Sequence, residues 1–256
     1  MIRIVADLGN SRLKWGRVGS SSRLESTRVL PSDDPDAWAS AWQDWNLAGA
    51  EDSRWAIATV NPPEAKRLGA FLGARGVGST RWYRSAAGVP IRHALERPET
   101  AGADRALAVV AARAMHPPGR PGLVVSCGSA ITVERITADA VWQGGAIAPG
   151  LGLSARALHL LTAQLPLITP RKAPPAWGRS TGPALEAGLY WGVVGAVREL
   201  LTRQAADLSP DPWVVWTGGD APILGPEVAG EAACVVDDLV LHGLIHVAFG
   251  GGAHPQ

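Results

Sequence analysis

"ADLGNSRLKWGRV", residues 6–18, is the stretch from which the fold can be read. Ile2, Ile4 and Ala6 alternate with Arg3, Val5 and Asp7, the period of a half-buried strand. The strand runs into a tight turn at Gly9 and Asn10, and Ser11, Arg12 and Lys14 follow as a second strand begins. Taken alone, the turn is an ordinary hairpin. It also has the ingredients of a phosphate cradle: a glycine that leaves backbone N–H groups unobstructed, with Asn10, Ser11 and Lys14 as side-chain donors.

The same pattern restarts in the second half. "GLVVSCGSAITVERI", residues 122–136, is an apolar run, a small-residue turn and a second β-branched run. Between the two lies "HPPGRPG", 116–122, with three prolines and two glycines in seven residues, which reads as a linker. The expectation is an internal duplication with domains at 1–116 and 117–256. A third glycine turn closes "WVVWTGG", 213–219. None of the three matches G-x-x-x-x-G-K-[ST] or G-x-G-x-x-G. Together they suggest a nucleotide held between two related halves.

The remaining elements alternate. Residues 34–48 read as a helix striped with Trp38, Trp42 and Trp45, a packing pattern. Residues 54–60 read as a buried strand, Pro62 and Pro63 open a helix, and 100–115 is a glycine turn feeding an Ala/Val-rich helix. Residues 181–205 form a long helix. Its large apolar stripe is Leu185, Leu189, Val193 and Val197. Beside it runs a small one, Ala184, Gly188, Gly192 and Ala196. Glycine costs roughly 1 kcal/mol inside a helix, so the small stripe calls for close approach of another helix, a ligand or a second subunit. Asp238 reads as the N-cap of a closing helix and Asp237 as its solvated neighbour.

Composition narrows the function. The 256 residues are 46% apolar and 18% charged, with a formal net charge of +1. That is too little basic excess for a chain that lives on nucleic-acid phosphates. "MIRIVADLGN" has no apolar core of a signal peptide, and no run approaches the about eighteen apolar residues of a membrane span. Cys127 and Cys234 form no framework and no metal-type pair, which fits a reducing cytoplasm. Cys127 has no histidine tied to it by pattern. His242 and His246, four apart on the closing helix, read as a packed or surface pair, because metal binding needs further ligands. Asp104, in "GADR" at a helix start, has two readings: a carboxylate favoured by the helix dipole, or a general base with Arg105 as an anion anchor.

Laid out in order, these segments resemble the type III pantothenate kinases, of the superfamily of acetate and sugar kinases, heat-shock chaperones and actin. The first phosphate motif stands as Asp7, Leu8, Gly9, Asn10 and Ser11, and "GADR" as Gly102–Arg105. "GGAIAPGL" (144–151), "TAQLP" (162–166), "GRST" (178–181), "TGGDA" (217–221) and "DLVLHGL" (238–244) follow in family order. The resemblance implies an α/β fold of two duplicated actin-like (ribonuclease H-like) halves, each a mixed sheet flanked by helices, with an interdomain cleft. It implies transfer of the ATP γ-phosphoryl group to pantothenate, the entry step to coenzyme A, in a cytoplasmic homodimer, with no nucleic-acid or membrane partner.

Carried over residue by residue, the resemblance assigns Asp104 as the catalytic carboxylate. Asp7, Leu8, Gly9, Asn10, Ser11, Arg12, Leu13 and Lys14, with Ser129, would hold ATP. Gly102, Ala103, Asp104, Arg105 and Thr181 would hold pantothenate, and Asp7 would act through Mg2+. One motif departs from the family. The second phosphate motif, roughly Asp-x-Gly-Thr-Ala-x-Thr-x-Asp, stands here as "SCGSAITVE". Ser126 replaces the aspartate that helps hold a monovalent cation (K+ or NH4+) in the family, Ser129 replaces the threonine, and Glu134 the last aspartate. The change leaves room for a second reading, a non-catalytic regulator on the same scaffold.

Overall fold

The computed structural model describes residues 1–47 and 52–250. Two compact units divide the chain: Met1–Pro117 together with the closing segment from Asp238, and Pro118–Asp237.

The first unit opens with β1 (Arg3–Leu8), β2 (Arg12–Val18) and β3 (Leu24–Pro31), an antiparallel meander. Helix α1 (Pro35–Asp44), β4 (Arg54–Thr59), α2 (Pro62–Gly73), β5 (Ser79–Tyr83) and α3 (Ala103–Ala114) follow. The sheet order is β3-β2-β1-β4-β5, with β4 parallel to β1 and β5 parallel to β4. The second unit repeats this plan: β6 (Gly122–Cys127), β7 (Ala130–Ile136), β8 (Trp142–Pro149), α4 (Leu151–Leu161), α5 (Thr181–Ala205), β9 (Trp213–Thr217), α6 (Ala221–Ala229) and β10 (Cys234–Val235). Its sheet order is β10-β9-β6-β7-β8, with the same three antiparallel strands and the same two parallel additions. The duplication read from two small-residue turns is therefore a duplication of entire sheets.

The closing helix α7 (Leu239–Phe249) departs from the expected boundaries. The linker reading assigned everything after 116 to the second half, but α7 packs on α3 in the first unit. The fit is steric and joins residues far apart in the chain. Gly243 faces the backbone of Leu107 so closely that a Cβ there would overlap the Leu107 carbonyl. No side chain holds the two helices apart, and Leu241, Leu244 and Ile245 are buried around the crossing.

Each sheet face has its own cover. In the first unit Ile4, Ala6, Leu8, Leu13, Trp15, Trp55 and Ile57 meet Trp38, Trp42, Leu68 and Leu72 of α1 and α2. Trp15 and Trp55 meet edge to face at 5.2 Å, and Trp42 stacks on Trp55 at 6.2 Å. The tryptophan stripe is core, and each large side chain so buried contributes roughly 2–3 kcal/mol. Asp34 caps α1 through its side chain, accepting from the Asp36 and Ala37 amides. The helix ends at Asp44; residue 48, to which the sequence pattern extended it, lies outside the described residues. The opposite face, with Val5, Asp7 and Gly16, is met by α7, whose Leu241 lies beside Gly16.

Helix α5 runs over 181–205 as the periodicity predicts, with Leu189, Val193 and Val197 buried. The small stripe is different. Ala184, Gly188, Gly192 and Ala196 are exposed, and among the described residues nothing lies within 4 Å of where a Cβ of Gly188 or Gly192 would stand. Close approach of another described residue is not the reason for those glycines.

Candidate active site

Asp7 is the next-to-last residue of β1, and its register partners are Lys14 on β2 and Ala58 on β4. Register partners share a face, so the Asp7 carboxylate and the Lys14 ammonium stand side by side, both half-buried. Two helix starts bring further carboxylates. Asp104 lies in the first turn of α3, where its Oδ1 accepts the Arg105 N–H at 2.9 Å. Gly102 precedes the helix, and a Cβ there would overlap Asp104 Oδ1, so a side chain at 102 would push this carboxylate aside. Asp238 precedes α7 and accepts from Lys14 Nζ at 2.8 Å.

Burial is the largest influence on Asp7 and pushes its pKa up. The Asp104 charge adds to the rise, Lys14 opposes it, and Asp238 raises it further; the result is about 7. A carboxylate so crowded by negative charge has reason to take a cation. Its hard oxygens fit Mg2+, which takes one or two carboxylates and completes its octahedron with phosphate and water. Among the described residues no cluster of three His, Cys, Asp or Glu could hold a metal by itself. An ion at Asp7 would therefore draw its other ligands from nucleotide and solvent.

The turn beyond Asp7 is closed by Gly9 N–H donating to Arg12 O at 3.0 Å, and Ser32 Oγ donates to the Asn10 carbonyl at 3.1 Å. Asn10, Ser11 and Arg12 are exposed. Leu8 and Leu13 are fully buried in the core, so their side chains cannot touch a phosphate and only their backbone belongs to the loop. Ala103 is likewise fully buried, while Arg105 is half-buried.

In the second unit three loops converge. Gly150 N–H donates to Ser129 O at 3.0 Å, Asp220 N–H to Cys127 O at 3.0 Å, and Gly128 N–H to Ala130 O at 3.1 Å. Ser129 is exposed at this junction. Cys127 is buried and its thiol is pushed up to about 12, first by desolvation and then by Asp220, so it is no nucleophile. Ser126 is paired with Thr132 on β7 and Thr217 on β9, a row of hydroxyls without a carboxylate. The Thr132 hydroxyl is buried and has no hydrogen-bond partner among the described residues. Glu134 does not replace the missing charge at position 126. It lies two residues further along β7, fully buried, and accepts from Trp142 Nε1 at 3.0 Å. Thr181 is the exposed first residue of α5.

One member of the first cluster escaped the sequence reading. Asp238 stands at the N-cap position, but its side chain caps nothing, and its backbone is left-handed at φ 53°. The carboxylate goes to Lys14 instead, 224 residues away. Helix-start chemistry in the sequence points to a cap, and no local signal points to so distant a lysine. Asp237 is exposed, as read. His242, half-buried on α7, has its pKa lowered by desolvation, with Asp238 opposing.

Known proteins bear on this geometry. The chain is 38% identical over 157 residues to a type III pantothenate kinase of Paramagnetospirillum magneticum, covering 60% of this chain and 58% of the relative. It is 40% identical over 159 residues to one of Porphyromonas gingivalis, covering 61% and 64%. The aligned part thus spans about three fifths of the length of these relatives. Among solved structures, a candidate Baf family transcriptional activator from Campylobacter jejuni aligns with TM-score 0.61 at 18% identity, over 95% of this chain and 96% of the other. The archaeal actin homologue Ta0583 aligns with TM-score 0.51 at 11% identity, over 97% and 99%. These likenesses place the two repeated sheets in the actin-like fold. A sequence model of the type III pantothenate kinases matches residues 3–203, and the chain belongs to that family.

Proposed function

We propose that the protein transfers the γ-phosphoryl group of ATP to the terminal hydroxyl of pantothenate. The observation that carries this reading is the cluster in the first unit, where Asp104, at a helix start, joins Asp7 and Lys14 at the mouth of the phosphate-type turn. Phosphoryl transfer asks a protein for positioning and charge neutralisation more than for covalent chemistry. Asp104 takes or orients the hydroxyl proton as the hydroxyl oxygen bonds to phosphorus and ADP departs. Lys14 and the turn at Gly9–Ser11 hold phosphate oxygens, with Ser129 as a hydroxyl donor. Asp7 would hold Mg2+, which would supply charge to neutralise the phosphates. Arg105 suits the pantothenate carboxylate, and Thr181, Gly102 and the Ala103 backbone complete the substrate contacts.

The monovalent cation of the family fits this chain poorly. Ser126, Thr132 and Thr217 offer oxygens, including an orphaned one on Thr132, but no charge. Weak or absent potassium dependence is the reading that follows. The reading includes a homodimer, supported by the exposed small stripe of α5 and by Leu160 and Leu161, 74% and 83% exposed on α4. It includes a reducing cytoplasm, which suits two free cysteines. A second reading, a regulator without catalysis, is favoured by one observation, the serine at 126. A coupled assay separates the two: ATP consumption by the purified protein should appear only with pantothenate present and with no other small alcohol in a substrate panel. Consumption of no ATP under any of these conditions would leave the regulator.

A further inference from the structure

We propose that Asp238 is the positioning residue for Lys14, holding the ammonium at the phosphate turn before nucleotide arrives. This rests on the kinase reading only in taking Lys14 as a phosphate ligand.

The argument begins with how Asp238 is placed. It precedes an eleven-residue helix, where an aspartate ordinarily folds back on the first free amides. Here it makes no such bond. Its backbone is held left-handed, a region that residues other than Gly, Asn and Asp rarely visit. The fold maintains that conformation by anchoring α7 at both faces, through the Gly243–Leu107 crossing and through Leu241 beside Gly16. What the arrangement achieves is the 2.8 Å bond to Lys14 Nζ, in a setting where the two side chains are only 16% and 26% exposed.

Lys14 needs such a partner. Its side chain has four rotatable bonds, and a lysine that must find a phosphate from a free ensemble loses that freedom on binding. Its register neighbour Asp7 stands on the same face and is the obvious competitor for the ammonium. Asp238 draws Nζ to itself from the helix side. The lysine is then already ordered beside the turn at Gly9–Ser11. Asp238 thus acts through Lys14, and contact with substrate is no part of its role.

The test measures binding of adenylyl imidodiphosphate with Mg2+ to the full chain by calorimetry, in Asp238→Gly, Lys14→Met and the double variant. Glycine accepts the left-handed backbone, so Asp238→Gly should melt close to wild type. Its affinity should fall about tenfold, the scale of ordering one lysine side chain. The double variant should bind no worse than Lys14→Met alone. Asp238→Asn, which tolerates the same backbone and can still accept from Nζ, should recover most of the loss. Unchanged or tighter binding in Asp238→Gly overturns the proposal. So do losses that multiply in the double variant, which would mean that Asp238 acts on the nucleotide or its magnesium directly. The measurement needs no pantothenate. A wild type that binds the analogue but leaves pantothenate unphosphorylated, with the Lys14–Asp238 coupling intact, refutes the kinase reading and supports this one.

Discussion

A Cβ at position 102 and the carboxylate of Asp104 claim the same space: built on Gly102, the extra atom overlaps Asp104 Oδ1, the oxygen that accepts the Arg105 N–H. The glycine of "GADR" is therefore a condition for where the catalytic carboxylate of the proposed reaction can sit. The neighbour that must yield is the end of a side chain, so a substitution there moves chemistry more than it moves the fold.

Gly102→Ala should fold with a melting temperature near wild type and lose pantothenate phosphorylation about 100-fold, the scale of a misplacement of roughly 1 Å at a reacting centre. Asp104→Asn, nearly isosteric and unable to take the hydroxyl proton, should lose at least about 100-fold with unchanged circular dichroism. Steady-state turnover beside thermal melts checks both. An asparagine variant with more than about a tenth of wild-type turnover would remove Asp104 from the role of base.

Asp7 ties stability to pH. Its carboxyl lies at 3.8 in the unfolded chain and near 7 in the fold, through burial and then the charge of Asp104. Between those values the folded protein holds a proton that the unfolded chain has released. Raising the pH through this window therefore lowers stability, and the loss is complete above about 7. Asp7→Asn should be neutral near pH 4 and stabilise the magnesium-free protein by ~1–3 kcal/mol at pH 8, allowing for solvent screening. Denaturant melts at both pH values decide it. An equal shift at the two would show that the Asp7 charge is not the cause.

Position 126 should control potassium. Wild type should respond weakly to the ion, and Ser126→Asp should gain activation at low potassium. The new carboxylate would stand between Thr132 and Thr217, within reach of an orphaned hydroxyl. The titration is run at constant ionic strength so that general screening stays fixed. Saturation of wild type at low millimolar potassium, or an aspartate variant indistinguishable from it, would sink this account.

The exposed stripe on α5 should lie in a subunit interface. Light scattering should give the mass of two chains for wild type, and Gly192→Arg, which places a long charged side chain where no described residue lies within 4 Å, should shift it toward one chain. A monomeric wild type at working concentration would leave those glycines without an explanation.

Much of this protein was legible because the relevant physics is local. The period-two alternation of residues 2–7, the proline openings of α1 and α2, and the four-residue rhythm of α5 depend only on neighbours a few positions apart. So do the small-residue turns that mark the duplication, and the motifs at Asp7–Ser11 and Gly102–Arg105 that point to the family. The tertiary structure decided what depends on distant partners. That α7 returns to the first unit follows from a glycine meeting the Leu107 backbone, a fit between residues 136 positions apart in the chain. That Leu8, Leu13 and Ala103 are core while their neighbours are not follows from which sheet or helix face is covered. That Asp238 serves Lys14 rather than its own helix follows from the same return of α7. A capping preference worth about 1 kcal/mol is easily overridden when packing sets a left-handed backbone and presents an ammonium instead.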